Sequence, residues 1–113
     1  MPAKGIRVDS SFNCEIRTTS TIVTDAAPRR VPAHALCGRR WMRVFNNGRE
    51  ESGQRVNVKV MIGNGDVVLT GSAERGFGLD IDEFVDLPFD DSIVVYAIAE
   101  SGETADLRAI ELR

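Results

Sequence analysis

The sequence predicts an all-β protein, a compact antiparallel β-sandwich or jelly-roll-like barrel with an extended N-terminal arm. Three observations carry this reading. Apolar and polar residues alternate over short runs: Val56, Val58, Val60 and Ile62 fall on one parity, Asn57, Lys59 and Met61 on the other, the period of a half-buried strand. Turn-forming clusters such as Asn46-Asn47-Gly48, Gly63-Asn64-Gly65-Asp66 and Ser101-Gly102-Glu103 punctuate the chain, at roughly the 8–12-residue spacing of sandwiches and barrels. Nowhere do apolar residues recur at helical spacing over three turns. The arm is expected over 1–35, with one or two short strands, and the sandwich or barrel domain over 36–113.

Taken in order, Phe12, Cys14 and Ile16 alternate with Asn13, Glu15 and Arg17, which predicts a short strand. The β-branched run Ser20-Thr21-Ile22-Val23-Thr24 predicts another. Ala26 to Ala33 contains Pro28 and Pro32. Each fixes φ and removes a donor, so neither a helix nor a central strand runs through. Trp41, Arg43 and Phe45 alternate with Met42 and Val44, and Trp41 in such a pattern is expected in the core. The run Val56–Ile62 reads as one strand and Val67–Thr70 as the next, while Gly71, Gly76 and Gly78 form a loop around Phe77. Leu79 and Ile81 alternate with Asp80 and Asp82, and Val85 and Leu87 continue to Pro88, which stops the strand. Residues Ile93 to Ala99 are apolar on both faces and are expected at the centre of a sheet. Ser101-Gly102-Glu103 then turns the chain into a partner strand, Thr104 to Leu112, closing a hairpin. Ala105, Leu107 and Ala109 share one parity and Ile110 and Leu112 the other, so a β-bulge is expected near Ala109.

Composition bounds the chemistry. The 113 residues are 42% hydrophobic and 27% charged, the values of one ordinary globular domain rather than a disordered chain. No run approaches the ~20 apolar residues of a membrane span, and the first residues lack the apolar core of a secretory signal. A membrane partner is therefore not expected. One histidine (His34) and two cysteines (Cys14, Cys37) supply little for nucleophilic or acid–base catalysis, so the chain is not expected to be an enzyme, and no cofactor is implied. A Cys14–Cys37 bridge is geometrically open from sequence, but without a secretory signal reduced thiols are favoured. The acids Asp80, Asp82, Glu83, Asp86, Asp90 and Asp91 crowd into twelve residues. They lack the ligand spacing of a calcium loop, and a solvated face or a surface for basic residues is the simpler reading. Gly63-x-Gly65 and Gly76-x-Gly78 lack the strand–helix setting of a phosphate loop and read as turns.

Charge is unevenly spread. Residues 1–60 carry eleven Lys/Arg against five Asp/Glu, and residues 61–113 carry three against twelve. Either the halves interleave and neutralise inside one domain, or the protomer is bipolar and meets its neighbours through complementary fields.

Three blocks carry a resemblance: Arg40-Trp41-Met42-Arg43-Val44-Phe45-Asn46-Asn47-Gly48, Val60-Met61-Ile62-Gly63-Asn64-Gly65-Asp66-Val67, and the long run from Ile93 to Leu112. In this order they resemble a group of small tailed-bacteriophage virion proteins, over roughly residues 36–113. The last block is the most specific. The resemblance implies a compact β-sandwich or jelly-roll-like fold and a structural role as a capsid decoration (cement) subunit, or as a head-fibre, neck or tail accessory. It implies the major capsid protein or neighbouring virion subunits as partners, a homo-oligomer with a trimer favoured, and a place on the virion after synthesis in the bacterial cytoplasm. The middle departs from the pattern, with Lys59 and Met61 in a lengthened strand.

Within that frame the basic stretch is the candidate docking surface. Arg29, Arg30, Arg39, Arg40 and Arg43 lie in a segment, residues 26–49, that no acid interrupts. Arginines on phosphates with Trp41 as a stacking platform would suit nucleic acid. The net charge of −3 argues against it, and an acidic protein surface is the expected partner. A carbohydrate- or receptor-binding β module is the alternative from another class; it requires exposed aromatic rings on one face.

Overall fold

Backbone pairing decides the architecture. The computed structural model describes residues 15–69 and 74–113, which form β1 (Ile16–Thr24), β2 (Arg29–Arg30), β3 (Trp41–Asn46), β4 (Arg49–Glu51), β5 (Gln54–Val56), β6 (Val60–Gly63), β7 (Phe77–Leu79), β8 (Phe84–Leu87), β9 (Tyr96–Ala99) and β10 (Thr104–Leu112). One four-stranded sheet, sheet A, has the order β1-β10-β3-β8, and sheet B has the order β2-β9-β6-β7. Strands β4 and β5 form a separate hairpin. All pairings are antiparallel. With the hairpin set aside, the eight remaining strands pair first with last (β1·β10), second with seventh (β2·β9), third with sixth (β3·β8) and fourth with fifth (β6·β7). That is one long antiparallel hairpin rolled into two sheets, the jelly roll. Of the two expected forms of the all-β fold, the strand order selects this one.

The inner faces read directly from the alternation. Met42 and Val44 of β3, Ala105, Leu107 and Ala109 of β10 and Val23 of β1 meet Val60 and Ile62 of β6, Leu79 of β7, and Val95, Ala97 and Ala99. Alanines interleaved with Val, Leu and Met let two sheets interdigitate at close range. Strand β9 lies between β2 and β6, central as expected. Its outer residues Tyr96 and Ile98 are covered by Met61, Val67 and Leu69, whereas Ile93 and Val94, expected in the same strand, precede it and are exposed.

Several expectations change. The strand read over 93–99 and the strand over 104–112 do not form a hairpin. β9 pairs with β2 and β6, and β10 pairs with β1 and β3. The turn at Ser101-Gly102-Glu103 is a crossover between sheets, because both strands must direct small apolar residues inward from opposite sides. No bulge interrupts β10: its register with β1 is continuous from Thr104 to Leu112. The inward parity continues past Ala109 to Glu111, which is fully buried. A carboxylate occupies the core-facing position that the sequence reading could fill only by shifting register.

The strand read over 56–62 is divided between β5 and β6, with Val58 reaching the core from the segment between them. Val67–Leu69 makes only an isolated bridge, Val68 with Arg75, and Thr70 lies outside the described residues. The glycine loop around Phe77 is strand β7, and Gly76 (φ +126°) sits where an added Cβ would lie 2.6 Å from Met61 Cγ and 2.7 Å from the Ile62 carbonyl oxygen. Residues Phe12 and Cys14 of the expected arm lie outside the described residues. Its described part supplies β1, paired along nine residues of β10, and β2, and it contributes Val23 and Val31 to the core.

Candidate docking face

Sheet A turns its second parity outward, and that face is rich in apolar and basic side chains. The registers place Ile16, Leu112 and Trp41 in one row. The next row is Thr18, Ile110, Arg43 and Asp86, and the third is Ser20, Arg108, Phe45 and Phe84. Trp41 is thus half-buried on an outer face rather than in the core, since Met42 and Val44 take the inward parity. Phe84 is 48% exposed. The Arg43 guanidinium lies 3.9 Å from the centroid of the Phe84 ring and 5.8 Å from that of Trp41, within cation–π range of both. It also donates two hydrogen bonds to Asp86, Nε to Oδ1 at 2.6 Å and Nη2 to Oδ2 at 3.0 Å. These bonds hold the Asp86 carboxyl below its ordinary pKa against a smaller opposing effect of desolvation, and they raise that of Arg43. The result is a flat strip of fixed rings and one oriented cation.

At the other end of this face Asp106 of β10 collects donors. Ser20 Oγ reaches Oδ1 at 2.6 Å, Arg108 Nε reaches Oδ2 at 2.9 Å and Asn47 Nδ2 reaches Oδ2 at 3.2 Å. Burial alone would raise this carboxyl; the hydrogen bonds outweigh it and hold the pKa below the ordinary value. Beside it Arg49 pairs with Glu51 and Glu103, so the cleft of about 380 Å³ between Ile22, Asn47, Arg55 and Arg108 contains several charges that are already partnered.

The five expected docking arginines do not converge. Arg29 and Arg30 are exposed on β2, at one edge of sheet B, where Arg29 reaches the Ile22 carbonyl of β1 at 3.3 Å. Arg40 is exposed just before β3. Arg43 alone lies on the outer face of sheet A. Arg39 is a correction: it is 2% exposed and belongs to the interior. Its Nη1 donates to Glu111 Oε2 at 3.0 Å, its Nε to the Phe89 carbonyl at 3.1 Å, and its Nη2 to the carbonyls of Asp90 and Ile93 at 2.7 and 2.8 Å. Glu111 also accepts from Arg17 Nε at 3.0 Å and from the Leu36 amide at 2.9 Å. Nothing local in Gly38-Arg39-Arg40 separates the buried arginine from its neighbour. The signal lay 72 residues away, in a glutamate on the apolar parity of β10.

The acidic run is likewise absorbed by local partners. Asp82 pairs with Arg55 at 2.8 Å, Asp86 with Arg43, and Asp90 accepts from Ser92; Asp91 accepts from the Gly38 amide at 2.7 Å, and Glu83 from the Asp80 amide at 2.7 Å. Among the described residues no three His, Cys, Asp or Glu side chains are grouped to hold a metal ion, and no helix is long and apolar enough to cross a membrane. Cys37 is exposed, and Cys14 lies outside the described residues. No family model matches this chain, and no curated protein or solved structure is significantly similar to it.

Proposed function

We propose that this chain is a structural, non-enzymatic subunit of a tailed-phage virion, a capsid decoration protein that docks on the major capsid protein through the outer face of sheet A. The motif order quoted above supports the phage assignment. The observation that carries the docking role is the strip Trp41, Arg43, Phe45 and Phe84 on a sheet face that antiparallel proteins ordinarily leave polar. Aromatic and arginine side chains held rigid in this way are the residue types that dominate binding energy at interfaces. The jelly roll itself serves viral capsid and lectin domains alike, so it adds analogy only. A trimer on the virion surface, assembled from subunits made in the bacterial cytoplasm, completes the proposal; Arg29, Arg30 and Arg40 remain candidates for contacts between subunits.

Docking would bury apolar surface across joints of the shell and stabilise the assembled state by linkage. Particles with the protein should therefore rupture at a higher temperature than particles stripped of it. Equal rupture temperatures would remove the cement role. A neck or tail accessory is the runner-up within the same class. The three rings on one face also favour a second reading, a carbohydrate- or receptor-binding module. Glycan binding that Trp41→Ala abolishes would select it instead.

A further inference from the structure

The two sheets part on the side away from β1 and β2. There β7 and β8 are both edge strands, and between them opens a groove of about 450 Å³ lined by Ile62, Phe77, Leu87, Phe89, Ile93 and Val94 among others. Its volume is in the range of filled binding pockets, roughly 300–1,000 Å³. Phe77 is 56% exposed and Ile93 44%. An apolar cleft flanked by two unpaired strand edges invites an extended segment, which would satisfy open backbone groups and bury alternate side chains.

We propose that the occupant is the chain's own N-terminal segment, residues 1–14, with Ile6 and Val8 in the groove. Two facts select it. The first is reach. Glu15 is hydrogen-bonded to Arg113 at the end of sheet A where Ile16, Leu112 and Trp41 are in register and Met42 pairs with Leu87. Three strand spacings, about 14 Å, separate β1 from β8, and fourteen extended residues span up to about 46 Å. The second is pattern: Ile6 and Val8 flank Arg7, the alternation that a groove reading every second residue requires.

The test uses the full chain. Nuclear Overhauser contacts are sought from the Ile6 and Val8 methyls to the rings of Phe77 and Phe89, in uniformly labelled protein and in a mixture of labelled and unlabelled copies. Contacts within one chain are expected. Contacts seen only between copies, or none, overturn the proposal. A second measurement compares Ile6→Asp/Val8→Asp with the control Ser10→Asp. Amide exchange over Phe84–Leu87 should accelerate at least tenfold in the double variant and not in the control; unchanged exchange in the double variant counts against occupancy.

Discussion

Two buried polar side chains show how single residues hold this fold. Arg39 and Glu111 form an ion pair inside the molecule at 3.0 Å, and four of the five guanidinium N–H groups of Arg39 are used. Removing Glu111 leaves the buried Arg39 charge uncompensated, at about 3–5 kcal/mol, whereas replacing both with apolar residues costs far less. Glu111→Leu should lower unfolding stability by that amount in denaturant titration. The double variant Arg39→Met/Glu111→Leu should recover a large part of it, a coupling that a thermodynamic cycle measures. Asn46 is the second case. It is fully buried, donates to the carbonyls of Val58 and Leu79 at 2.8 and 2.9 Å, and accepts from the Gly48 amide at 2.8 Å. It therefore ties sheet A to β7 and to the segment entering β6. Asn46→Ala strands three backbone groups, and a loss of roughly 2–4 kcal/mol is expected. The sequence reading placed Asn46 in a turn because Asn-Asn-Gly is a turn signal. That signal is correct for Gly48, but a side-chain amide bridging two sheets leaves no trace in local pattern.

At the scale of elements, some strand positions and faces were legible and pairing was not. The inward parity of β6 and of the first part of β10 follows from period two, whereas in β3 the expected core residue Trp41 turns outward and Met42 and Val44 turn inward. The hairpin expected between the last two strands failed because a three-residue turn between apolar runs is compatible with a hairpin or with a step to the opposite sheet. Only the distant partners β1 and β3 decide between them. The turn after β3 is constrained more tightly: Gly48 has φ +72°, and a Cβ there would lie 2.4 Å from the Val56 carbonyl oxygen. Gly48→Ala should cost at least the 1–2 kcal/mol typical of a left-handed residue, read as a lowered melting temperature. The pairing of β1 with β10 and Asn47 also carries a pH dependence. Asp106 has its pKa depressed on folding by donors from these elements. A depressed carboxyl stabilises the fold above its unfolded pKa of about 3.9, and that contribution is lost as pH falls through the lower folded value. Asp106→Asn should flatten the acid limb of the stability profile below about pH 4; an unchanged limb would show that the carboxyl adds nothing.

At the scale of the molecule, the uneven charge of the two halves is resolved largely within the fold. Arg17 and Arg39 meet Glu111, Arg43 meets Asp86, Arg49 meets Glu103 and Arg55 meets Asp82. The jelly roll pairs early strands with late ones, so a basic first half and an acidic second half are brought face to face. The all-β class was legible, because it depends on local alternation. The rolled strand order was not, because it is a property of long-range pairs. The candidate docking face was legible only at Arg43: Trp41 was expected in the core, and the ring of Phe84 that completes the strip comes from β8, which only the register with β3 places beside them. If that strip is the contact with the shell, Trp41→Ala and Arg43→Glu should each weaken association by about 2 kcal/mol or more, roughly thirtyfold, in a binding titration with purified shells, with little change in the melting temperature of the free subunit.

A cryo-electron-microscopy map of the phage particle proposed to carry this chain tests the central claim most directly. The account predicts many symmetry-related copies over the shell, each with the outer face of sheet A against the major capsid protein. A single ring of copies at the neck or tail, a sheet A facing solvent, or a particle that lacks the chain would contradict it.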